Sequence, residues 1–448
     1  MTPTRSRVLA AALLAALGVF PAARVASAQP LVLAASDTLS LDALLATVEA
    51  TPTLRAARLG AEAAQSRARA AGLRPDPEVE VMVRPGVLLG SGDLVMGRVV
   101  QPLPYPSVLR REREGARAMA DAEGFRADAE AADARLAVQQ AYYALYRAQT
   151  LDALVRTFQK RLGLFAEAAA VRYEVGRGPQ GSILQAQLEG GRFEEEILAL
   201  ATERDEALAR LAALVGRPDL ARRSATRDAP HAVVVLPPLP SASDTALVEI
   251  ALAGRAEFAA LAAEARGADA DVALARAAFR PELGVMGGVT LMGFTPGDLV
   301  AAPGVGVALR LPLNRERLGA RLDEARLRRA QVDARREALE ADVASTLVYR
   351  ARAVRREGEA LDLYRRRLLP QAETTAEAML VAYTTGQAGF LDLLEAERTR
   401  YDLLTGAERA RYRYLVALAE LERALGGAAP SSTRTAEAPR PTRDAPTP

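Results

Sequence analysis

The chain contains no cysteine and a single histidine, His231. The absence of cysteine excludes disulfides, thiol catalysis and thiolate metal sites, and it removes the residue that would carry an N-terminal lipid. One histidine without a histidine or cysteine companion cannot assemble a catalytic centre or a histidine-based metal site. No phosphate-cradling glycine motif is present either. We therefore expect no enzyme activity, no catalytic or metal-binding residues and no cofactor.

Long apolar runs are also scarce. The longest, residues 8–20, spans about 13 residues, whereas a membrane-spanning helix needs roughly 20. This run follows Arg5 and Arg7 and precedes Ala26-Ser27-Ala28, which predicts a signal peptide over residues 1–28. Its removal takes away three arginines and leaves a net charge near −1, so no nucleic-acid partner is expected.

The most informative feature that is present is an internal repeat. Residues near 102–216 realign on residues 312–426 at a constant offset of 210, without a gap. The islands that carry the match include Pro102-Leu103 with Pro312-Leu313, and Tyr173-x-x-Gly176 with Tyr383-x-x-Gly386. The chain is therefore a duplication.

The repeat divides the chain into five parts. We predict a signal peptide (1–28), a first repeat (29–216), a connector (217–242), a second repeat (243–426) and a tail (427–448). The connector is rich in proline, and the tail in Pro, Ser and Thr, which is typical of disorder.

Each repeat alternates between helix and strand in the same order. From Ser107 to Gly178 there is no proline, and apolar residues recur at spacings of three and four. A helix of 65 to 70 such residues is about 100 Å long. The second repeat follows the same pattern, but Pro370 should kink or interrupt its helix. Gly176 and Gly386 mark the turns of two helical hairpins and are expected to need a left-handed backbone.

Four segments alternate with the period of two that is typical of barrel strands. They lie at about residues 78–84, 94–103, 283–292 and 304–313. Four strands cannot close a barrel, and an open sheet edge in lipid leaves backbone groups unsatisfied. Three copies supply twelve strands. The predicted fold is mainly α with a membrane β-barrel, namely a homotrimeric, twelve-stranded barrel continued by a periplasmic α-helical tube.

With its signal peptide, its two repeats and its Tyr-x-x-Gly turns, the chain resembles the TolC-like outer-membrane efflux family over roughly residues 38–426. Its most specific pieces are the two hairpin turns, residues 173–176 and 383–397. Residues 51–57 and 72–78, with Gln101-Pro102-Leu103-Pro104, look like the CzcC-like heavy-metal branch.

The resemblance implies a function and a set of partners. The chain would be the outer-membrane channel of a tripartite efflux system, a passive exit duct for metal ions or small solutes, without a lipid anchor and with a long periplasmic extension. Its partners would be outer-membrane lipid, a periplasmic adaptor protein and an inner-membrane pump of the RND type. Two alternatives stay open at this point, a periplasmic coiled-coil adaptor or scaffold and the exit duct of a type I protein secretion system.

The resemblance also implies roles for particular residues. The hairpin tips, with Tyr173, Gly176, Tyr383 and Gly386, would dock the adaptor. Asp392 and Glu395 lie three residues apart on one helix face, where the family closes its periplasmic aperture. In a trimer they would form carboxylate rings that favour cations. The alternative for these two acids is a solvated helix face.

Overall fold

The computed structural model describes residues 38–84, 93–176, 178–222, 231–237, 243–293 and 300–427. The predicted signal peptide lies outside the described residues, as do residues 428–448 of the predicted tail and parts of the predicted connector.

Helices account for most of the described chain. The first repeat and the connector contain β1 (Thr38–Leu39), α1 (Leu41–Thr47), α2 (Pro52–Ala70), β2 (Glu78–Arg84), β3 (Asp93–Leu103), α3 (Pro106–Glu174), α4 (Gln180–Leu214), α5 (Pro218–Arg222) and β4 (His231–Ala232). The second repeat contains α6 (Asp244–Gly254), α7 (Ala256–Ala277), β5 (Glu282–Gly293), β6 (Val300–Arg310), α8 (Arg315–Leu363), α9 (Leu369–Thr384) and α10 (Phe390–Ala424). None of the described helices has an apolar stretch long enough to span a bilayer.

Helix α3 has 69 residues and is therefore about 100 Å long, as predicted. It begins with Pro106 in its first turn, where the missing N–H is not needed for a helical hydrogen bond. It ends where Gly176 takes a positive φ of 71°. Gly386 ends α9 in the same way with φ 80°, so the predicted left-handed backbone of both turns is confirmed.

The interruption predicted at Pro370 is also confirmed. Helix α8 ends at Leu363, a π-helical turn covers Tyr364–Leu368, and α9 starts with Pro370 in its first turn. Proline has no N–H to donate to the carbonyl four residues back, and its ring clashes there. The wider π turn moves that carbonyl aside and lets the helix continue.

The larger sheet has four antiparallel strands in the order β2-β3-β5-β6. Its central pair, β3 with β5, joins the two repeats from Asp93 opposite Gly293 to Leu103 opposite Leu283. The last strand was predicted at residues 304–313 but runs from Val300 to Arg310.

A second, two-stranded sheet was not predicted from the sequence. In it β1 pairs in parallel with β4 of the connector. Between them, the hydroxyl of the fully buried Tyr142 donates to the Leu39 carbonyl at 2.7 Å and accepts from the Val233 N–H at 2.9 Å. Tyr142 belongs to α3, so this contact fixes the start of the first repeat and the connector to the long helix.

A charged cluster ties together α3, α7 and α10. Glu257 accepts from Arg255 and from Arg423, each at 2.8 Å, and Arg423 also reaches Asp133 at 2.5 Å. Burial alone would raise the pKa of the Glu257 carboxyl, but the hydrogen bonds from the two arginines outweigh it and lower that pKa to about 2.

This cluster makes the stability of the protein depend on pH in the acidic range. Because the folded-state pKa of Glu257 lies below its unfolded value, the stabilisation is present above about pH 4.5 and is lost as the pH falls towards 2. With solvent screening at this half-buried site, the difference is on the order of 1–2 kcal/mol. We expect the thermal midpoint of the purified protein to fall over this range, and to fall less in Glu257→Gln. Glu249→Gln, at an exposed position on α6, is the control and should follow the parent. Equal acid sensitivity in parent and Glu257→Gln would contradict the assignment.

Candidate functional sites in the sheet and at the hairpin tips

One face of the four-stranded sheet is almost entirely apolar. Side chains alternate between faces along each strand, and the cross-strand register places those of all four strands on a common surface. Its exposed members are Val79, Val81, Val83, Val99, Leu103, Leu283, Val285, Val289, Val305, Val307 and Leu309. A continuous apolar surface of this extent marks an interaction site rather than a water-facing surface.

The opposite face of the sheet carries the charged and small residues. Arg98 pairs with Glu80 across β3 and β2, and Arg310 pairs with Glu282 at 3.1 Å across β6 and β5. Met82, opposite Met96 in the register, lies on this face too. The two faces of one sheet are therefore suited to two different environments.

The two helical hairpins end in glycine turns that are open to their surroundings. A Cβ atom added at Gly176 or Gly386 would meet no heavy atom within 4 Å. The strain of a substitution there would thus come from the positive φ and not from crowding. A groove separates the two turns and is lined by Val175, Pro179, Gln185, Thr385 and Leu391.

The tyrosines of the two turns differ in environment although their motifs match. Tyr173 is 46% exposed, whereas Tyr383 is 6% exposed. The Tyr383 ring packs edge-to-face on Phe390, with the centroids 6.1 Å apart. The Arg172 guanidinium lies 4.2 Å from the Tyr383 centroid and donates to the Tyr383 carbonyl at 2.8 Å.

The two acids predicted at the aperture, Asp392 and Glu395, are both exposed near the start of α10. The Asp392 carboxylate accepts the Gly389 N–H at 2.9 Å, which caps the helix. Within the described chain neither acid forms an ion pair. The structure thus gives Asp392 a local role that the sequence did not reveal.

A layer of buried glutamates with arginine partners, the charged layer, lies between the two hairpins, on the sheet side of the tips. Glu397 on α10 is 4% exposed and pairs with Arg161 of α3 at 2.8 Å and with Arg400 at 3.5 Å. Glu189 on α4 is 7% exposed and pairs with Arg192 at 2.6 Å and with Arg398 of α10 at 3.4 Å. The first glutamate therefore links α10 to α3, and the second links α4 to α10.

An aromatic cluster packs beside the charged layer. The Tyr401 ring meets Phe158 and Phe193 edge-to-face, at centroid distances of 4.9 Å and 5.1 Å. These three residues come from α10, α3 and α4, so the cluster joins the same helices as the ion pairs. Together they hold the two hairpins side by side.

Sequence reasoning missed the charged layer, although a signal for it exists. In α10 the buried positions Phe390, Leu393 and Tyr401 follow a helical spacing that includes Glu397. In α4 the buried Ser182, Ala186 and Glu189 continue to Phe193 in the same manner. A glutamate on the apolar stripe of a helix predicts a buried ion pair.

No metal centre can be assembled from the part of the chain that the structure describes, since no group of three or more His, Cys, Asp or Glu residues is suitably arranged there. The side chain of His231 lies outside the described set.

The sequence of the second repeat matches a known family. Residues 247–427 fit the family described as outer membrane efflux protein. We refer to these residues as the efflux domain, after the family that they match. Over these residues the match confirms the resemblance to the outer-membrane efflux family, which is one of channel proteins rather than enzymes, whereas the CzcC-like branch stays a prediction. No curated protein matches the chain.

Solved structures share the fold of this efflux domain and extend it to the first repeat. The CmeC outer membrane channel of Campylobacter jejuni has a TM-score of 0.73 and 15% identity, covering 86% of this chain and 85% of its own. The open state of the MtrE outer membrane channel of Neisseria gonorrhoeae has a TM-score of 0.71 and 22% identity, and the match covers 86% of this chain and 88% of MtrE. The outer membrane protein VceC of Vibrio cholerae has a TM-score of 0.70 and 22% identity, and the match covers 86% of this chain and 96% of VceC.

The buried charge in the efflux domain generates a stability prediction. Glu397→Gln would leave Arg161 without its counter-charge, and Arg400 would keep only Glu373, at 3.7 Å. We expect a loss on the order of 1–3 kcal/mol, seen as a lower thermal midpoint. Glu377→Gln, at an exposed position on α9, is the matched control and should leave the midpoint unchanged. The ion pairs would have no structural role if both variants melted with the parent.

Proposed function

We propose that this chain is the exit duct of a tripartite efflux system. Three copies form an outer-membrane channel through which metal ions or small solutes leave passively, delivered by an inner-membrane pump of the RND type and a periplasmic adaptor. The observation that carries this proposal is the open four-stranded sheet, with one apolar face and one polar face, joined to helices about 100 Å long.

The sheet supports a trimer through its free edges. Strands β2 and β6 have no further partner strand among the described residues, so their outer backbone groups need one from another chain. In lipid each unsatisfied group costs several kcal/mol. Pairing β6 of one copy with β2 of the next closes a twelve-stranded barrel after three copies, with the apolar face towards lipid and the polar face towards the lumen.

The long hairpins support a periplasmic extension. They leave the sheet on one side, because β3 and β6 lead directly into α3 and α8. Six hairpins from three copies would form a tube that carries solute from the adaptor to the barrel. Since the sequence contains no cysteine, the barrel would be anchored by its strands alone and not by a lipid.

The oligomeric state tests the proposal directly. We expect the mature protein, extracted in detergent, to be a trimer whose migration on a gel changes on heating. The measurement is light scattering with the detergent mass subtracted. A monomer, or a protein that is soluble without detergent, would favour the periplasmic adaptor or scaffold instead.

The hairpin tips are the proposed docking site for the adaptor. They lie at the far end of the helices from the sheet, their glycine turns are open, and a groove runs between them. Gly176→Leu forces a side chain into a left-handed backbone, at a cost of roughly 1–2 kcal/mol, and changes the shape of the turn. We expect this variant to disrupt docking of the adaptor.

Asp392 and Glu395 are the proposed aperture. At 1.5 Å per residue they lie about 9 Å and 14 Å beyond the turn at Gly386. Both carboxylates are exposed and have no ion-pair partner in the described chain, so three copies would place six of them around the axis. Such rings attract cations and repel anions.

The double variant Asp392→Asn with Glu395→Gln should lower the cation selectivity and alter the conductance of the channel in planar bilayers. Asparagine keeps an oxygen that can accept the Gly389 N–H, so the helix cap is preserved while the charge is removed. Glu167→Gln on α3, another exposed acid, is the control. Unchanged selectivity and conductance in the double variant would mean that the two acids are a solvated helix face.

A further inference from the structure

The two Tyr-x-x-Gly turns are equivalent in sequence but not in structure. Tyr173 and Tyr383 correspond at the offset of 210, yet one is exposed and the other is buried. The residue before each tyrosine differs as well. Arg172 precedes Tyr173, whereas its counterpart in the second repeat is Ala382.

Arg172 makes three contacts with the other hairpin. Its Nη2 donates to the Tyr383 carbonyl at 2.8 Å and approaches the Thr384 carbonyl at 3.5 Å. Its guanidinium also covers the Tyr383 ring at 4.2 Å. The carbonyls at a helix C-terminus carry partial negative charge, so a guanidinium is a favourable partner there.

Tyr383 is held from its other side as well. Phe390 packs against its ring, and Leu162, Ala169 and Leu393 are buried in the same cluster. Tyr383 thus lies between the first hairpin and the start of α10. Because Ala382 cannot repeat the contact, each chain has one such clamp, within the chain, at the level of the tips.

We propose that Arg172 is a positioning residue that fixes the second tip against the first by clamping Tyr383, so that the adaptor meets both tips in one arrangement. Tyr383 then serves the clamp and not the docking contact, and Tyr173 is the tip tyrosine that is free for docking. This inference rests on the proposed function, because it assumes that the tips are the docking site.

The absence of cysteine allows the clamp to be measured by spin labelling. Labels at Glu167→Cys and Glu377→Cys, both exposed, report on α3 and α9 by electron–electron distance measurement. Co-expression with excess unlabelled chain leaves at most one labelled chain per trimer. We expect a narrow distance distribution in the parent and a clearly broader one in Arg172→Ala and in Tyr383→Ala.

Conservative and control variants separate the clamp from a general loss of stability. Tyr383→Phe keeps the ring under the guanidinium and the same main-chain carbonyl, so its distribution should stay narrow. Arg172→Lys keeps the charge and one hydrogen bond and should restore most of the order. Lys160→Ala removes an exposed positive charge from the same helix and should have no effect. Equal distributions in the parent, Arg172→Ala and Tyr383→Ala would overturn the proposal.

Export assays of the same variants then separate the two levels of inference. We expect Arg172→Ala and Tyr383→Ala to weaken adaptor binding roughly tenfold, the factor for about 1.4 kcal/mol, and to lower export accordingly. Tyr173→Ala should lower export while its distance distribution stays narrow. If Gly176→Leu abolishes export but Arg172→Ala does not, the positioning role is wrong and docking at the tips stands. If no tip variant, Gly176→Leu included, affects export, the docking site itself is wrong.

Discussion

The antiparallel pairing of β3 with β5 is the contact on which the rest of the architecture depends. It joins a strand of the first repeat to a strand of the second over eleven residue pairs. Alone, each repeat would contain only a two-stranded hairpin, which is marginally stable at best. The pairing creates a four-stranded sheet, gives it two distinct faces, and fixes where the long helices of both repeats begin. The duplication is therefore not two independent domains, because its repeats complete each other.

The long helices must also hold the two hairpins side by side over their whole length. Apolar stripes do most of this, but at one level the stripe contains Glu189 and Glu397 instead of leucine. A buried carboxylate is tolerated only where basic partners compensate its lost hydration, and each of these has two arginines. An apolar contact permits sliding along the helix axis, whereas an ion pair between named residues specifies one register. The charged layer thus specifies the register of α10 against α3 and α4.

The same physics gives the two ends of the molecule different surfaces. At the sheet, valine and leucine lie on one side and charged or small residues on the other, which is the pattern that the proposed barrel wall requires. At the tips, open glycine turns, exposed hydroxyls and carboxylates suit a contact with another protein and with ions.

Much of the fold was determined by local features of the sequence. A proline-free apolar stripe predicted α3, Pro370 predicted the break before α9, the positive φ of Gly176 and Gly386 followed from turn chemistry, and the strands lie where apolar residues alternate. These features depend on backbone sterics and on periodicity, which a sequence displays directly. The tertiary structure alone decided the pairing of β1 with β4, the burial of Tyr383 but not of Tyr173, and the use of Arg172 and Glu397 between hairpins. Each of these depends on which residues from distant segments face each other, for example Arg172 and Tyr383, 211 positions apart. A repeat in the sequence predicts equal environments for equal motifs, and only the packing of one hairpin on the other made them different.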